Sequence, residues 1–91
     1  MSIPLALRGS KQMTDVILYT KPGCHLCDDA RVVLDRVRVD LPFGLLEVDI
    51  NSDEELFSAY FDRIPVLRID GEDIFELFVA ESDLRNHLKS L

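Results

Sequence analysis

Apolar positions along the chain change period several times, and each change marks an element. Val16-Ile17-Leu18-Tyr19-Thr20 is an unbroken β-branched and aromatic run that Lys21-Pro22-Gly23 interrupts, which predicts a buried strand. From Cys24 to about Val39, Leu26, Ala30, Val33, Leu34 and Val37 recur at helical spacing, with Asp29, Arg31, Asp35, Arg36 and Arg38 mostly on the other face. Asp28 and Asp29 in the first turn and Arg36 and Arg38 in the last complement the helix dipole. Leu41-Pro42-Phe43-Gly44 ends that helix. A second strand follows at Leu45 to Ile50, where Leu46, Val48 and Ile50 alternate with Glu47 and Asp49.

Ser52 and Glu55 read as a capping box, with Ser52 the N-cap of a short helix running to about Tyr60 or Phe61. After Arg63-Ile64-Pro65 comes the strand Val66 to Ile69. Asp70-Gly71 supplies the positive-φ positions of a tight hairpin, and Asp73 to Leu77 is its returning strand. Leu84, Leu88 and Leu91 mark a last amphipathic helix. The order is β-α-β-α-β-β-α. Strands joined through helices are expected to run parallel and the final hairpin antiparallel, giving a four-stranded mixed sheet of the α/β class with helices packed on it. The thioredoxin-like fold has this arrangement. Residues 1–13, without sustained periodicity, read as a flexible N-terminal extension to a domain spanning residues 14–91, and Met13 is open as an alternative start.

The chain has 91 residues, enough for one domain with a modest core, and a net charge of −7. A nucleic-acid partner is not expected, since no basic stripe is present. No apolar run reaches the length a membrane helix needs, about 18 residues or more. The weak apolar patch from Ile3 to Leu7 has its positive charges after it, the wrong order for a secretory signal, so a cytoplasmic, reducing location is the expectation. In that setting Cys24-His25-Leu26-Cys27 points to redox catalysis or metal binding rather than to a structural staple.

Thiol–disulfide exchange needs a thiolate. Cys24, where a strand hands over to a helix, meets unpaired backbone N–H groups and the positive end of the helix dipole. Cys27 lies one turn further in, so Cys24 is expected to be the nucleophile and Cys27 the resolving thiol. Lys21 adds positive charge nearby, whereas Asp28 and Asp29 oppose it. A closed zinc site wants four ligands, and only His25 and His87 stand as other soft candidates. A purely structural disulfide across so short a loop removes little chain entropy. Redox use leads these two readings because of the strand–turn–CxxC–helix context.

Tyr19-Thr20-Lys21-Pro22-Gly23-Cys24-His25-Leu26-Cys27 resembles the active-site segment of glutaredoxins, Y-[ST]-K-P-x-C-P-Y-C, and Arg63-Ile64-Pro65-Val66 resembles their T-V-P motif. The resemblance spans roughly residues 15 to 91 and is strongest toward small bacterial glutaredoxin-like proteins with a C-H-L-C site. It implies a carboxylate-binding role for Lys21, a strand-like backbone contact from Ile64 to the substrate, and a cis Pro65 facing the dithiol. The chain departs from the pattern at His25 and Leu26, and at Val79-Ala80, which replace a glycine pair that lets glutathione approach the backbone. Glu81 adds negative charge where an anionic tripeptide would sit, and Ser82 and Asp83 read as helix caps or as a hold on that ligand. His25 either tunes the dithiol or is an exposed polar side chain.

Substrate contacts are therefore expected from Lys21, His25, Ile64 and Pro65, with no bound metal and no bound cofactor. Glutathione stays open as a reductant beside a thioredoxin-type system, and the substrate is a disulfide-bearing protein or a small thiol compound. The rival reading is a thioredoxin-fold binding module, or a carrier that shares zinc or an iron–sulfur group through the CxxC. Phe57, Tyr60, Phe61, Phe75 and Phe78 read as core or near-core, Glu54, Glu55, Glu72, Asp73 and Glu76 as solvated faces, and His87 as structural or exposed.

Overall fold

A computed structural model describes residues 14–91; the extension at 1–13 and the alternative start at Met13 lie outside the described residues. The elements are β1 (Asp15–Thr20), α1 (His25–Asp40), β2 (Gly44–Asp49), a 3-10 turn (Ile50–Ser52), α2 (Glu54–Tyr60), β3 (Val66–Ile69), β4 (Glu72–Glu76) and α3 (Glu81–Lys89). They form the expected thioredoxin-like architecture, a mixed sheet in the order β2-β1-β3-β4.

One strand direction departs from expectation. β1 and β2 are parallel, but β3 is antiparallel to β1 although a helix joins β2 to β3. The reason is length. Seven residues of α2 carry the chain only about 10 Å, well short of the roughly 20 Å of a six-residue strand. The chain therefore re-enters the sheet at the end where β2 left it, so Val66 at the start of β3 lies opposite Tyr19 near the end of β1.

β1 is covered on both faces, which explains its unbroken apolar run. Val16 and Leu18 face Ala30, Leu34 and Val37 of α1 and Leu84 of α3, together with Leu67, Ile69 and Val79. Tyr19, with Ile17 packed against it, faces Tyr60, Ile50, Val66, Ile64 and Cys27. Leu18, Leu34, Leu67 and Leu84 are fully buried, each contributing roughly 1.5–3 kcal/mol relative to exposure. The edge strand β2 is less sheltered, and Leu46 is 59% exposed despite its alternating pattern. Asp70 and Gly71 make the hairpin turn with φ of 49° and 88°, as their identities imply.

Several local readings are corrected. Ser52 belongs to the 3-10 turn, its hydroxyl donating to the Asp49 carbonyl at 2.7 Å. The N-cap of α2 is Asp53, whose carboxylate accepts the amides of Glu55 and Leu56 at 2.7 and 3.3 Å. Ser52 loses the role because the preceding turn consumes it. Ser82 and Asp83 are not caps either: α3 starts from Ala80, without a side-chain cap. Leu91 lies beyond α3 and is exposed, and Phe57, Phe61 and Phe78 are surface residues rather than core. Phe57 and Phe61 stack on each other one helical turn apart, centroids 5.6 Å apart, which shelters them only partly.

Asp53→Ala is expected to destabilise the fold by about 1 kcal/mol, while Ser52→Ala stays within about 0.5 kcal/mol of wild type. Urea unfolding of the two variants checks which residue caps α2.

Candidate functional site

β1 delivers the chain to a three-residue turn at the end of the sheet. Gly23 closes that turn with φ of 78°, a conformation other residues rarely adopt. Cys24 follows in extended backbone as the N-cap of α1. Its carbonyl accepts the amide of Asp28 at 3.2 Å, and its Sγ accepts the amide of Cys27, also at 3.2 Å. The sulfur thus takes the place that a serine or aspartate oxygen usually fills at a helix start, among amides with no helical partner.

Both cysteines are free thiols, in contrasting environments. Cys24 is half-buried, and Cys27 is 1% exposed against Tyr19, Ile50, Tyr60, Ile64 and Val66. Burial pushes the Cys27 thiol from an ordinary 9.0 up to about 12; its hydrogen bond with Cys24 acts in the same direction, while the Lys21 backbone amide and the Arg31 charge oppose the shift. Arg31 is held on Asp28 at 2.7 Å and on both carboxylate oxygens of Glu47 at 2.7 and 2.9 Å, tying α1 to β2.

The antiparallel entry of β3 brings Ile64 and Pro65 to this end of the sheet. Ile64 lies in the apolar cluster that holds Cys27, with Cys24 packed against it, and Pro65 is buried after a cis peptide bond. The backbone N–H and C=O of Ile64 make no hydrogen bond to another backbone group among the described residues. Its neighbours do: the Leu77 amide donates to the Arg63 carbonyl at 3.1 Å and to the Pro65 carbonyl at 2.8 Å. Arg63 clamps this segment from the side. Its guanidinium binds the Ala59 carbonyl, Asp73 and Glu76, and stands 4.9 Å over the Tyr60 ring.

Of the residues singled out by sequence, Cys24, Cys27, Ile64 and Pro65 therefore converge. Lys21 precedes Cys24 and His25 follows it in the chain, but their side chains are exposed and make no hydrogen bond or ion pair among the described residues. Glu81 does not stand as free negative charge: it is bound by Arg36 and by Arg85, each at 3.1 Å, which hold its carboxyl below the usual range. Asp73 and Glu76 are likewise not simply solvated, since Arg63 and Arg68 engage them. No group of three or more metal-ligating side chains occurs among the described residues.

Three residues had no functional signal in the sequence, although Tyr60 reads there as core or near-core and is buried, and Leu77 reads as the last residue of a strand that in fact ends at Glu76. Tyr60 stacks on Tyr19 at 4.6 Å between centroids and donates its hydroxyl to Asp73 at 3.2 Å, forming a wall of the Cys27 pocket. Arg63 enters the sequence reading only within the Arg63-Ile64-Pro65-Val66 segment, which assigns its side chain no role. Leu77 sits in left-handed backbone with φ of 69°, at a cost of about 1–2 kcal/mol for a residue bearing a Cβ.

Residues 15–89 match the family described as Glutaredoxin-like domain (DUF836). A Dictyostelium discoideum protein named as a glutaredoxin-like protein homolog is 33% identical over 85 residues, covering 85% of this chain and 77% of that one. Among solved structures, target protein XcR50 from X. campestris is 34% identical, with a TM-score of 0.71, covering 84% of this chain and 97% of that one. Protein Ne2328 from Nitrosomonas europaea is 25% identical with a TM-score of 0.73, covering 82% and 91%. A thioredoxin from Halobacterium salinarum, 22% identical with a TM-score of 0.65 and covering 90% and 77%, shares the fold. No helix of the described residues is long and apolar enough to cross a membrane.

The two thiols are expected to differ in reactivity. With limiting iodoacetamide at neutral pH, Cys24 alkylates readily while Cys27 stays unmodified, as peptide mass spectrometry reads out. Because the folded pKa of Cys27 is raised, the stability tied to its thiol is intact below about pH 9 and is lost as pH rises toward about 12. Cys27→Ala lacks that loss in an unfolding series across the same range.

Proposed function

The chain belongs to the glutaredoxin-like (DUF836) family, and from that premise we propose that it is a dithiol oxidoreductase with Cys24 as nucleophile and Cys27 as resolving thiol. The observation that carries this reading is the half-buried Cys24 at the head of α1, its sulfur on the Cys27 amide, one turn before a buried second thiol.

The chemistry runs in two displacements. The Cys24 thiolate attacks one sulfur of a substrate disulfide, forming a mixed disulfide and releasing the other sulfur as a thiolate that takes up a proton. Cys24 Sγ accepts the Cys27 amide at the head of α1, so a hydrogen-bond donor meets the sulfur as it attacks and as it leaves. Cys27 then gives up its proton and attacks Cys24 Sγ. This releases the second substrate thiol and leaves a Cys24–Cys27 disulfide. Two electrons pass from the dithiol to the substrate, and an external thiol, glutathione or a thioredoxin-type dithiol, returns them. Burial of Cys27 keeps it protonated and out of reach of bulk oxidants until the mixed disulfide forms beside it.

Docking is assigned to the unpaired backbone of Ile64, which accepts an extended substrate in strand-like contact while Pro65 closes the pocket behind it. Lys21 and His25, exposed on either side of Cys24 in the chain, are placed to meet polar or anionic groups of the substrate.

Cys24→Ser is expected to lose at least about a thousandfold in disulfide reduction, in line with removal of an essential nucleophile. Cys27→Ser is expected to accumulate a mixed disulfide visible by mass. Full activity of Cys24→Ser overturns the assignment. Stoichiometric zinc or iron that is lost on Cys24→Ser, with no disulfide turnover in wild type, supports instead a metal carrier built on the cysteine pair.

A further inference from the structure

Between β4 and α3 the chain passes through four consecutive apolar residues, Leu77-Phe78-Val79-Ala80, alongside the Ile64–Pro65 segment. Val79 is buried in the core shared with α1 and α3 and anchors this loop. Leu77 and Phe78 are not buried: they are 50% and 67% exposed. Leu77 is also held at φ 69° by an amide shared between the Arg63 and Pro65 carbonyls. A glycine would adopt that backbone without strain, and a half-exposed leucine adds little packing in return. Fold stability therefore does not account for the side chain at this position.

The carboxylates on either side of the loop are already paired within the chain. Glu76 before it is bound by Arg63, and Glu81 after it is bound by Arg36 and Arg85. A ligand crossing Leu77 and Phe78 thus meets hydrophobic surface flanked by carboxylates that are already paired. An anionic small disulfide finds no cation on this loop.

We propose that Leu77 and Phe78 are specificity-determining residues of the thiol–disulfide site, receiving an apolar side chain next to the cysteine of an extended polypeptide substrate. This rests on the oxidoreductase reading above and names its substrate class. The two carbonyls that fix Leu77 are those on either side of Ile64, so the strand-like contact at Ile64 and the apolar contact at Leu77 act on neighbouring residues of one peptide. An extended peptide advances about 3.3 Å per residue, which keeps a residue adjacent to the docked cysteine within reach of this rim.

The test compares reduction of a peptide disulfide bearing phenylalanine next to cysteine with reduction of glutathione disulfide, using wild type, Leu77→Gly and Phe78→Ala. In each variant KM for the peptide is expected to rise about tenfold, and the preference for peptide over glutathione disulfide to fall by the same factor, with little change in kcat on the peptide. Leu77→Gly should keep or raise the thermal midpoint, which separates lost recognition from lost folding. Wild-type KM for the peptide in both variants, or an equal loss on both disulfides, overturns the proposal. Inactive Cys24→Ser beside unaffected Leu77→Gly and Phe78→Ala overturns only the specificity, whereas active Cys24→Ser overturns the underlying reading.

Discussion

Tyr19 lies opposite Val66 in the antiparallel pairing of β1 with β3, and this register determines what meets at the end of the sheet. β1 leads from there into the turn that presents Cys24, while β3 is preceded by Ile64 and Pro65. Two segments forty residues apart are brought together because β1 pairs with β2 on one side and, from Val16 to Tyr19, with β3 on the other. Slippage of that pairing by one residue would turn Leu67 and Ile69 out of one core and Val66 out of the other. The fold and the site thus depend on the same set of contacts.

At that end of the sheet, burial separates two residues of the same type. Cys24 occupies the helix N-cap, where sulfur accepts an amide and stays accessible. Cys27, three residues later, turns inward to the face lined by Tyr19, Tyr60 and Ile64, where removal from water favours the neutral thiol. Helical periodicity produces the inward turn, and the aromatic stack of Tyr19 on Tyr60 supplies the dry wall. Arg63 then joins α2 to β4 and holds the Ile64 segment against that wall through Ala59, Asp73 and Glu76. The net charge of −7 would by itself crowd this region with free carboxylates. Instead, those beside the 77–80 loop are paired with arginines, leaving its surface apolar.

Much of the plan was legible from residue order. The unbroken run at 16–20, the helical period after Cys24, the Asp70-Gly71 turn and the Ile64-Pro65 segment each carry a local signal. The errors share a cause. Ser52 looked like the cap of α2 because a capping box is defined by spacing, yet a 3-10 turn shifted the start by one residue. β3 was expected to be parallel because a helix precedes it, but the short α2 does not span the sheet. Phe57, Phe61 and Phe78 read as core or near-core on side-chain type alone, and nothing local shows that α2 and the 77–80 loop expose them.

The sequence by itself determined the elements, the position of the dithiol at a strand-to-helix junction and the likeness of that junction to a glutaredoxin site, because backbone propensity, periodicity and short motifs are local properties. Tertiary structure alone decided the direction of β3, the burial of Cys27 against Tyr60, the pairing of Glu76 and Glu81, and the strained, exposed placement of Leu77. Each of these depends on which distant residues arrive on the same face, and that is set by chain length and packing.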